Sequence, residues 1–454
     1  MGNNTEIYYV DPDVDWTIKH TSLIYYDHKK MTPEEVNMEA TRIEEKCTEL
    51  GCPCSVTKLL SAHVLTVEWS CDNHPSYDKL DLKDGLEVGG EDSVMMHYDA
   101  PPPTDPRFGQ QYAISIPRLS NKADINMEEG WNAYLSDVKG GNASGPSVIV
   151  AVIDTGVDYN HPDLKDVMWT NPGEIAGNGV DDDGNGIIDD VYGADYTPRN
   201  NPTGDPIDRN GHGTHCAGII AATPNNGQGI AGVASFHQGK VKIMALKGLG
   251  NRGGTLSGLL ACLNYAIEKG AKISSNSWGT RGGGGLNPGT ERVWDAVLRS
   301  NLDHLFVAAA GNDNLQITRR SMTCGLNEPN LLCVASSDRR DQKSRFSNYG
   351  TAKVHVFAPG SDILSTYPNN RYVSLSGTSM ACPQVSGLAA LIMTMHGGMT
   401  AEEVRKAIEN NVQKKSQYTR FVSTGGLIDA GATIKALKSG GGGGSGENEI
   451  YNNF

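Results

Sequence analysis

Short apolar runs separated by glycine-rich polar segments dominate the chain from about residue 147 onwards. Residues 147–153 are continuously apolar and rich in β-branched side chains, and residues 304–312 form a second such run that ends in a glycine and an asparagine. Runs of this kind are typical of strands buried on both faces of a parallel sheet. Residues 213–222 and 387–392 are small and aliphatic, and they predict closely packed helices. The pattern predicts an α/β fold with a mostly parallel sheet between helices.

The first hundred residues show a different pattern, which predicts a small α+β domain over residues 21–99 after an N-terminal extension at residues 1–20. Residues 32–35 (Thr-Pro-Glu-Glu) form a capping box with proline at the first helical position, so a helix should begin there and stop at Gly51. Strand-like segments lie on both sides of this helix, at residues 22–26, 56–60 and 62–69.

The formal charge is spread unevenly along the chain. The whole chain carries −14, and residues 1–100 hold 20 acidic against 8 basic side chains, so the remainder is nearly neutral. This charge step and the proline run at 101–103 indicate a linker at residues 100–106. Neither part has the basic surface of a nucleic-acid-binding protein, and no apolar run approaches the length of about 18 residues that a membrane span needs.

Three glycine-flanked segments hold an aspartate, a histidine and a serine, in that order. Asp154 follows the first apolar run, His212 precedes a small-residue helix, and Ser379 opens a helix with proline in its first turns. A serine hydroxyl is a weak nucleophile, which needs an imidazole to take its proton and a carboxylate to orient that imidazole. Taken singly, each residue also has an ordinary structural interpretation, as a strand-end aspartate, a core histidine or a helix N-cap serine. Together, the three contexts favour nucleophilic catalysis.

These segments resemble the signature blocks of the subtilisin-like serine proteases, in that family's chain order. The resemblance implies a subtilisin-like fold over residues 107–438, with a mostly parallel sheet flanked by helices. It implies Asp154 as the orienting carboxylate, His212 as general base and then acid, and Ser379 as nucleophile. The amide of Asn312 and the backbone N–H of Ser379 would stabilise the oxyanion. An α/β-hydrolase is disfavoured, because its serine precedes the other two residues in the chain.

Two further segments resemble the walls of the family's substrate cleft, between which a peptide would bind as an added strand. One wall is Ser277-Trp278-Gly279, and the other includes Gly253 and Gly254, although a glycine-rich surface turn explains these two glycines nearly as well. One position departs from the family, since Gln384 stands where a histidine usually follows the proline of the serine block. We expect altered packing at Gln384 and no loss of chemistry.

The acidic first unit resembles the inhibitory propeptide of subtilisin-like zymogens, a folding helper whose last residues lie in the cleft after cleavage. We expect a serine endopeptidase that cuts itself after Tyr98 or Asp99, acts on protein or peptide substrates, and has its own propeptide as intramolecular inhibitor. One alternative is an unrelated N-terminal domain. Another is a protein that cuts itself once, keeps its propeptide and acts as a binding module.

An acidic loop follows the residue order of an EF-hand calcium loop, in which alternate oxygen ligands enclose a hard cation. Position 12 is Tyr192 instead of the usual glutamate, so a further ligand must come from elsewhere, and a solvated acidic turn is the alternative interpretation. The resemblance suggests a second calcium site, with Asp163 and Asn226 as tentative ligands. The candidate ligands of the first site are Asp181, Asp183, Asn185, Ile187, Asp189 and Asp190.

The nine cysteines are odd in number and are spread over both parts of the chain. Cys324 and Cys333 could form a disulfide if the chain is secreted. Cys216 and Cys382 closely follow the histidine and serine blocks, and we expect them to be small core residues. The spacing in Cys52-Pro53-Cys54 does not fit a zinc knuckle.

The expected localisation is the secretory pathway or the extracellular space. Glycosylation sequons at Asn3 and Asn142, the zymogen layout and the calcium loops favour this route, although residues 1–20 contain no signal-peptide apolar region. Residues 439–446 consist of glycine and serine, so we expect a flexible tail over residues 439–454.

Overall fold

The structure is a computed structural model of the full chain. It describes residues 21–26, 32–50, 54–59, 64–69, 86–88, 102–114, 123–139, 145–198, 201–237, 239–280, 287–317 and 323–439. The N-terminal extension, the cleavage positions Tyr98 and Asp99, and the tail beyond residue 439 lie outside these residues. The chain divides into two compact units, residues 1–97 and 98–454.

The described residues of the first unit form a four-stranded antiparallel sheet and one helix. Its elements are β1 (Thr21–Tyr26), α1 (Pro33–Glu49), β2 (Cys54–Leu59), β3 (Val64–Trp69) and β4 (Leu86–Val88), in the strand order β2-β3-β1-β4. The predicted capping box is confirmed, because Glu35 N donates to Thr32 Oγ1 (3.3 Å) and Thr32 N donates to Glu35 Oε2 (2.9 Å). Val36, Ala40 and Ile43 are buried at helical spacing, so one face of α1 supplies the core of this unit.

The second unit alternates strands and helices. Its strands are β5 (Val148–Asp154), β6 (Gly193–Asp195), β7 (Val241–Lys247), β8 (Ile273–Asn276), β9 (Leu305–Ala309), β10 (Leu331–Ser337), β11 (Val356–Pro359), β12 (Ile363–Tyr367), β13 (Arg371–Leu375), β14 (Gln413–Lys414) and β15 (Gly426–Leu427). Its α-helices are α2 (Met127–Lys139), α3 (His212–Ala221), α4 (Leu256–Glu268), α5 (Pro288–Ser300), α6 (Thr378–Met395), α7 (Ala401–Asn410) and α8 (Ala430–Ser439). Short 3-10 turns lie at Phe108–Gln110, Lys165–Val167 and Ser416–Tyr418.

Nine of these strands form one sheet in the order β14-β15-β11-β10-β9-β8-β5-β7-β6. Neighbouring strands are parallel throughout except for the antiparallel pair β14 and β15, which confirms the predicted α/β fold. Strands β12 and β13 form a separate antiparallel hairpin. The strand β5 lies between β7 and β8, so the strand order reverses there. Such a switch point leaves a crevice at the carboxyl end of the strand, where ligands bind in open α/β sheets.

The strand β5 is buried on both faces, as its sequence predicts. Val148, Val150 and Val152 belong to a core cluster with α3 and α6, whereas Ala151 and Ile153 belong to a cluster with α4 and α5. Every residue of α6 is buried. Although α6 is apolar, neither it nor any other helix that the structure describes is long and apolar enough to span a membrane.

Residues 104–107 are hydrogen-bonded to the rest of the second unit, whereas the sequence predicted a linker over residues 100–106. Thr104 N donates to Asn225 Oδ1 (2.8 Å), Asn225 N donates to Asp105 Oδ2 (2.9 Å), and Arg107 N donates to Gly229 O (2.9 Å). These bonds attach the segment to the loop at residues 225–229, and Asp105 is buried as a result. The packed part of the second unit therefore begins before residue 107.

Candidate active site

Asp154 lies at the carboxyl end of β5, and its carboxylate is fully buried. Because side chains alternate along a strand, Asp154 points to the face of Val150 and Val152, on which α3 and α6 lie. Its Oδ1 atom accepts hydrogen bonds from Thr155 N (2.7 Å) and His212 Nδ1 (2.8 Å). The carboxylate therefore holds the imidazole with its proton on Nδ1 and leaves Nε2 free to accept one.

His212 is the first residue of α3, and a close approach of two backbones brings it to Asp154. A β-carbon on Gly213 would lie 2.1 Å from Gly156 O and 3.0 Å from Asp154 Cβ, so glycine is needed for α3 to come this near to the end of β5. The side chain of His212 is 29 % exposed, which leaves its outer edge open to a substrate.

Asp208 holds the segment that leads into α3, and sequence reasoning missed it. Its buried carboxylate accepts hydrogen bonds from Asn210 N (2.8 Å) and Gly211 N (2.9 Å), and from both Thr214 N (3.0 Å) and Thr214 Oγ1 (2.7 Å). Its position just before a helix was a usable signal, because a carboxylate there caps free N–H groups. Asp208 therefore fixes the backbone on both sides of His212.

Opposing effects set the pKa of His212. Burial lowers the pKa, but the charge of Asp154, its hydrogen bond and the more distant charge of Asp208 together raise it above the ordinary value of 6.5. An imidazole accepts a proton only when it is neutral. The imidazole is therefore a competent base on the alkaline side of this raised pKa.

The rate is expected to follow this pKa. kcat/KM should rise with pH through a midpoint above 6.5. Asp154→Asn removes the largest effect that raises the pKa and leaves burial, so the pKa of His212 should fall. NMR titration of the imidazole in a Ser379→Ala background measures both values without turnover, with Asp166→Asn as a control at an exposed carboxylate. An unchanged or higher pKa in Asp154→Asn would contradict this account.

Ser379 is the second residue of α6 and faces the same region. Cys216, one turn after His212, contacts both Asp154 Oδ2 (4.0 Å) and Ser379 O (3.4 Å), so the serine lies beside the helix that carries the imidazole. The Ser379 hydroxyl donates to Ser277 O (3.1 Å) and not to His212 in this conformation. Rotation about one side-chain bond redirects the hydroxyl towards His212. Catalytic hydrogen bonds are often poorly aligned in the absence of substrate.

Two N–H donors converge next to Ser379. Asn312 Oδ1 accepts hydrogen bonds from Thr378 N (2.9 Å) and Thr378 Oγ1 (3.0 Å), which fixes the amide and turns its Nδ2 atom outwards. A β-carbon built on Gly377 would lie 3.5 Å from both Asn312 Nδ2 and Ser379 N. The backbone of Gly377 is extended and a β-carbon there would make only ordinary contacts, so the effect of glycine is to leave this space open. This space can hold an oxygen atom that carries negative charge.

A cavity of about 380 Å³ opens beside these donors, and we call it the acyl-side pocket. The predicted wall residues Ser277, Trp278 and Gly279 line it. Gly253 does not line this pocket. It lies in a tight turn, in which Gly250 and Gly253 exchange two backbone hydrogen bonds of 3.0 Å. Gly254 follows in the same turn. The lining residues are Ser277, Trp278, Gly279, Thr280, Ala309, Gly311, Asn312, Asp313, Thr378 and Ser379.

The predicted acidic loop forms a carboxylate cluster, but with a different membership. Glu174, Asp183 and Asp190 offer oxygen atoms within 4.8 Å of one another. Glu174 Oε2 is buried without a hydrogen-bond partner, which is the kind of atom a cation would satisfy. Sequence reasoning missed Glu174, because it lies outside the EF-hand-like segment. Lys269 also contacts Asp183, so part of the negative charge is already balanced.

The other predicted ligands of this loop have separate roles. Asp181 accepts hydrogen bonds from Asn185 N (3.1 Å) and Gly186 N (2.8 Å), within its own turn. Asp189 accepts from Gly177 N (2.7 Å) and Gly179 N (3.0 Å). Ile187 is buried in the core, and Asn185 Nδ2 donates to Asp190 Oδ2 (2.8 Å). The loop is therefore braced by its own carboxylates.

The tentative second site brings together Asp163 and Asn226, as the sequence suggested, and adds Asp105. Asn226 Nδ2 donates to Asp163 Oδ1 (2.8 Å), and Asp105 holds Asn225 in the same loop. Asp105 Oδ1 is buried without a hydrogen-bond partner. Burial raises the pKa of Asp105, and the charge of Asp163 raises it further. Two nearby buried carboxylates with one unsatisfied oxygen fit a divalent cation.

The cysteines in the described parts of the chain are small core residues or form disulfides. Cys324 and Cys333 form the bridge that the sequence left open, and Cys47 and Cys54 form another that it did not predict. Cys216 and Cys382 are free and buried. Burial raises the pKa of the Cys382 thiol to about 11, and that of Cys216 well above its usual value, so neither is an activated nucleophile.

Comparisons with known proteins agree with this geometry. The sequence profile of the subtilase family matches residues 145–427. The chain is 41 % identical over 320 residues to thermitase from Thermoactinomyces vulgaris, an alignment that covers 69 % of this chain and 92 % of thermitase. It is 36 % identical over 316 residues to subtilisin-like protease 1 from Plasmodium vivax, which covers 63 % of this chain and 47 % of that protein. The chain thus spans about half the length of this Plasmodium relative.

A solved structure is similar as well. It is that of a protease from Pseudoalteromonas arctica, with a TM-score of 0.56 and 27 % sequence identity over 74 % of this chain and 99 % of that one. The family profile covers more than half of the chain and includes Asp154, His212 and Ser379. The chain therefore belongs to the subtilase family and is a subtilisin-like serine endopeptidase.

Proposed function

We propose that this endopeptidase is a calcium-stabilised, self-processing zymogen in which Asp154, His212 and Ser379 form the catalytic triad. The observation that carries the catalytic part is the buried Asp154–His212 hydrogen bond of 2.8 Å beside two convergent N–H donors. A buried carboxylate, an imidazole with a free Nε2 atom, a neighbouring hydroxyl and a site for an oxyanion are the groups that acyl transfer requires.

The reaction follows from these positions. Ser379 Oγ attacks the peptide carbonyl while His212 Nε2 takes its proton, and Asp154 stabilises the resulting imidazolium. Asn312 Nδ2 and Ser379 N donate to the oxygen that becomes negative. The imidazolium then protonates the leaving amine, which produces an acyl-enzyme on Ser379. A water molecule, activated by His212, releases the acyl group by the same steps in reverse.

The zymogen part of the proposal rests on the first unit. It is compact in its own right, it carries most of the chain's net negative charge, and it precedes in the chain the unit that contains the subtilase domain. We propose that it is an inhibitory propeptide released by cleavage after Tyr98 or Asp99. The disulfides Cys47–Cys54 and Cys324–Cys333 support the secretory route, because such bridges persist in oxidising compartments.

Processing and turnover test this proposal together. The purified full chain should cut itself, and N-terminal sequencing of the large fragment should give a start between about residues 96 and 106. After proteolytic removal of the first unit, the large fragment should digest an unrelated unfolded protein repeatedly. A start elsewhere would overturn the propeptide assignment, and a single self-cleavage without later turnover would favour the binding-module alternative.

The two carboxylate clusters support calcium as the stabilising ion. Calcium prefers several oxygen ligands, and each cluster contains one buried carboxylate oxygen without a partner, Glu174 Oε2 and Asp105 Oδ1. The first cluster would use Glu174, Asp183 and Asp190, and the second would use Asp105 and Asp163. A bound cation would neutralise the repulsion within each group.

Chelation is expected to lower the thermal stability of the mature protease. One ion present at about 100 times its Kd stabilises the folded state by about 2.7 kcal/mol, which corresponds to a Tm shift of about 4 °C for a domain of this size. Differential scanning calorimetry with and without EDTA measures the shift. Asp105→Asn and Asp183→Asn should each remove part of it, whereas Asp166→Asn, at an exposed carboxylate outside both clusters, should keep it whole. An EDTA-independent Tm would exclude stabilising calcium.

A further inference from the structure

A second large cavity lies outside the acyl-side pocket. Its volume is about 760 Å³, and it forms between the segment before α3 and the tip of the β12–β13 hairpin. Tyr367 OH donates to Asn210 O (2.7 Å) and holds these two segments together. We call this cavity the hairpin pocket; its lining residues are Asp158, Asn160, Ile207, Asp208, Arg209, Asn210, Tyr367, Pro368, Asn369, Asn370 and Arg371.

The hairpin pocket begins close to His212 and shares no lining residue with the acyl-side pocket. The acyl-side pocket lies at Ser379 and Asn312, so it receives the residues before the scissile bond. His212 protonates the leaving amine, so the residues after the scissile bond extend past the imidazole. The hairpin pocket begins two residues before the imidazole, at Asn210, whose Oδ1 atom accepts a hydrogen bond from His212 N (3.4 Å).

The carboxylates of the hairpin pocket are buried and their oxygens are occupied. Asp158 Oδ1 accepts from Asn160 N (3.3 Å) and Asp158 Oδ2 accepts from Asn369 N (3.0 Å). Asp208 accepts from the backbone on both sides of His212, as described above. These two side chains brace the pocket, and their oxygen atoms are already engaged by backbone and hydroxyl donors.

The two arginines of the pocket are exposed, and within the described residues neither forms an ion pair. Arg371 lies over the ring of Tyr367, 4.9 Å from its centroid, and its Nε atom donates to Pro368 O (3.1 Å). Its remaining guanidinium N–H groups are available. Arg209 lies three residues before His212 and has an unengaged guanidinium group. Two guanidinium groups held beside one cleft match the planar oxygen pairs of carboxylates.

We infer that the hairpin pocket selects substrates with an aspartate or glutamate among the first four residues after the scissile bond, through Arg209 and Arg371. This inference rests on the proposed function, because it takes His212 as the group that faces the leaving amine. It adds a substrate class to that reaction. An acidic side chain there gains two charge-assisted partners, and a lysine meets two like charges.

The test uses the mature protease and internally quenched peptides that share one sequence before the scissile bond. Aspartate, alanine or lysine is placed in turn at each of the first four positions after it. At one or more positions, kcat/KM for the aspartate peptide should exceed that for the lysine peptide about tenfold, since exposed ion pairs give effects of a few-fold each. The ratio should shrink as salt rises from about 0.05 to 0.5 M. A ratio near one at all four positions would overturn the inference.

Charge reversal identifies the residues responsible. Arg209→Glu and Arg371→Glu should each lower the aspartate-to-lysine ratio several-fold, and the double variant should invert it. Arg420→Glu is the matched control, because Arg420 is an exposed arginine that does not line the hairpin pocket. If the double variant kept the preference for aspartate, other residues would be responsible for it, and the assignment to Arg209 and Arg371 would be overturned. If a charge-reversal variant does not fold, Arg209→Gln or Arg371→Gln is measured in its place.

A peptide with an aminocoumarin leaving group separates this inference from the proposed function. This substrate has no residue after the scissile bond, so the hairpin pocket cannot contribute to its hydrolysis. Hydrolysis by the wild-type protease without an acidic preference in the peptide series would overturn the inference alone. Absence of hydrolysis of every substrate would count against the proposed catalytic centre, and with it the inference.

Discussion

Ser379→Ala is expected to lower kcat/KM by about 10⁶-fold, which is the scale seen when a related serine protease loses its nucleophile. The residue supplies the only oxygen atom that our mechanism uses to form the acyl-enzyme. Water can still attack a bound peptide in the variant, but it lacks the position and activation that Ser379 has. The full-length variant should also remain uncut, because self-processing uses the same hydroxyl.

Ser379→Ala should remove the nucleophile without disturbing the fold. Ser379 is largely buried, and its hydroxyl forms one hydrogen bond, to Ser277 O, so alanine fits the same space with little change in stability. Initial rates with a fluorogenic peptide and intact mass spectrometry measure the two outcomes, and a matching Tm verifies the fold. Ser374→Ala, at an exposed serine of β13, is the matched control and should process normally. Self-cleavage by Ser379→Ala at the wild-type rate would remove Ser379 from the mechanism.

The parts of the fold that follow from local pattern were predictable from the sequence. The apolar run at residues 147–153 corresponds to the strand β5, which is buried on both faces because helices cover each side. Residues 387–392 lie within α6, where small side chains allow a helix to be buried on all sides. In both cases a few neighbouring residues hold the information. The three catalytic candidates were also recognisable, since each lies in a distinctive local context.

Features that depend on distant contacts were not predictable. Glu174 and Asp105 join carboxylate clusters from segments whose local sequence has no ligand pattern. Asp189 fits the EF-hand order in sequence, yet the folded loop uses its carboxylate to brace Gly177 and Gly179. The packing of Gln384 was not predictable either, because its amide contacts Pro359 O at the end of β11, a residue 25 positions away. Tertiary packing decides each of these cases.

The direction of the Ser379 hydroxyl was also not predictable from the sequence. Sequence order predicts that the serine and the imidazole meet, and the structure places Ser379 next to the helix that begins with His212. Whether the hydroxyl donates to His212 or to Ser277 O depends on one rotatable bond, whose wells differ by little energy. Substrate binding can change that balance, because the acyl-side pocket then contains the carbonyl that the hydroxyl attacks.

Asn312→Ala is expected to lower kcat by about 10²–10³-fold with little change in KM, because the amide of Asn312 interacts mainly with charge that develops during the reaction. Steady-state kinetics on one peptide substrate separates the two constants. Asn312→Asp is the sharper variant. It keeps an oxygen to accept from Thr378 but replaces the donor with a negative charge, so it should be slower than Asn312→Ala.

Gly377→Ala tests the same oxyanion site from its other side. The new methyl group would lie 3.5 Å from both donors and occupy the space of the oxyanion, while the extended backbone accepts alanine without strain. kcat should therefore fall although both N–H groups remain. Gly109→Ala, where a β-carbon meets nothing within 4 Å, is the matched control. If Asn312→Ala lowered KM and kcat in parallel, or if Gly377→Ala had full activity, the stabilising donors would have to lie elsewhere. The convergence of Asn312 Nδ2 and Ser379 N would then be a feature of packing alone.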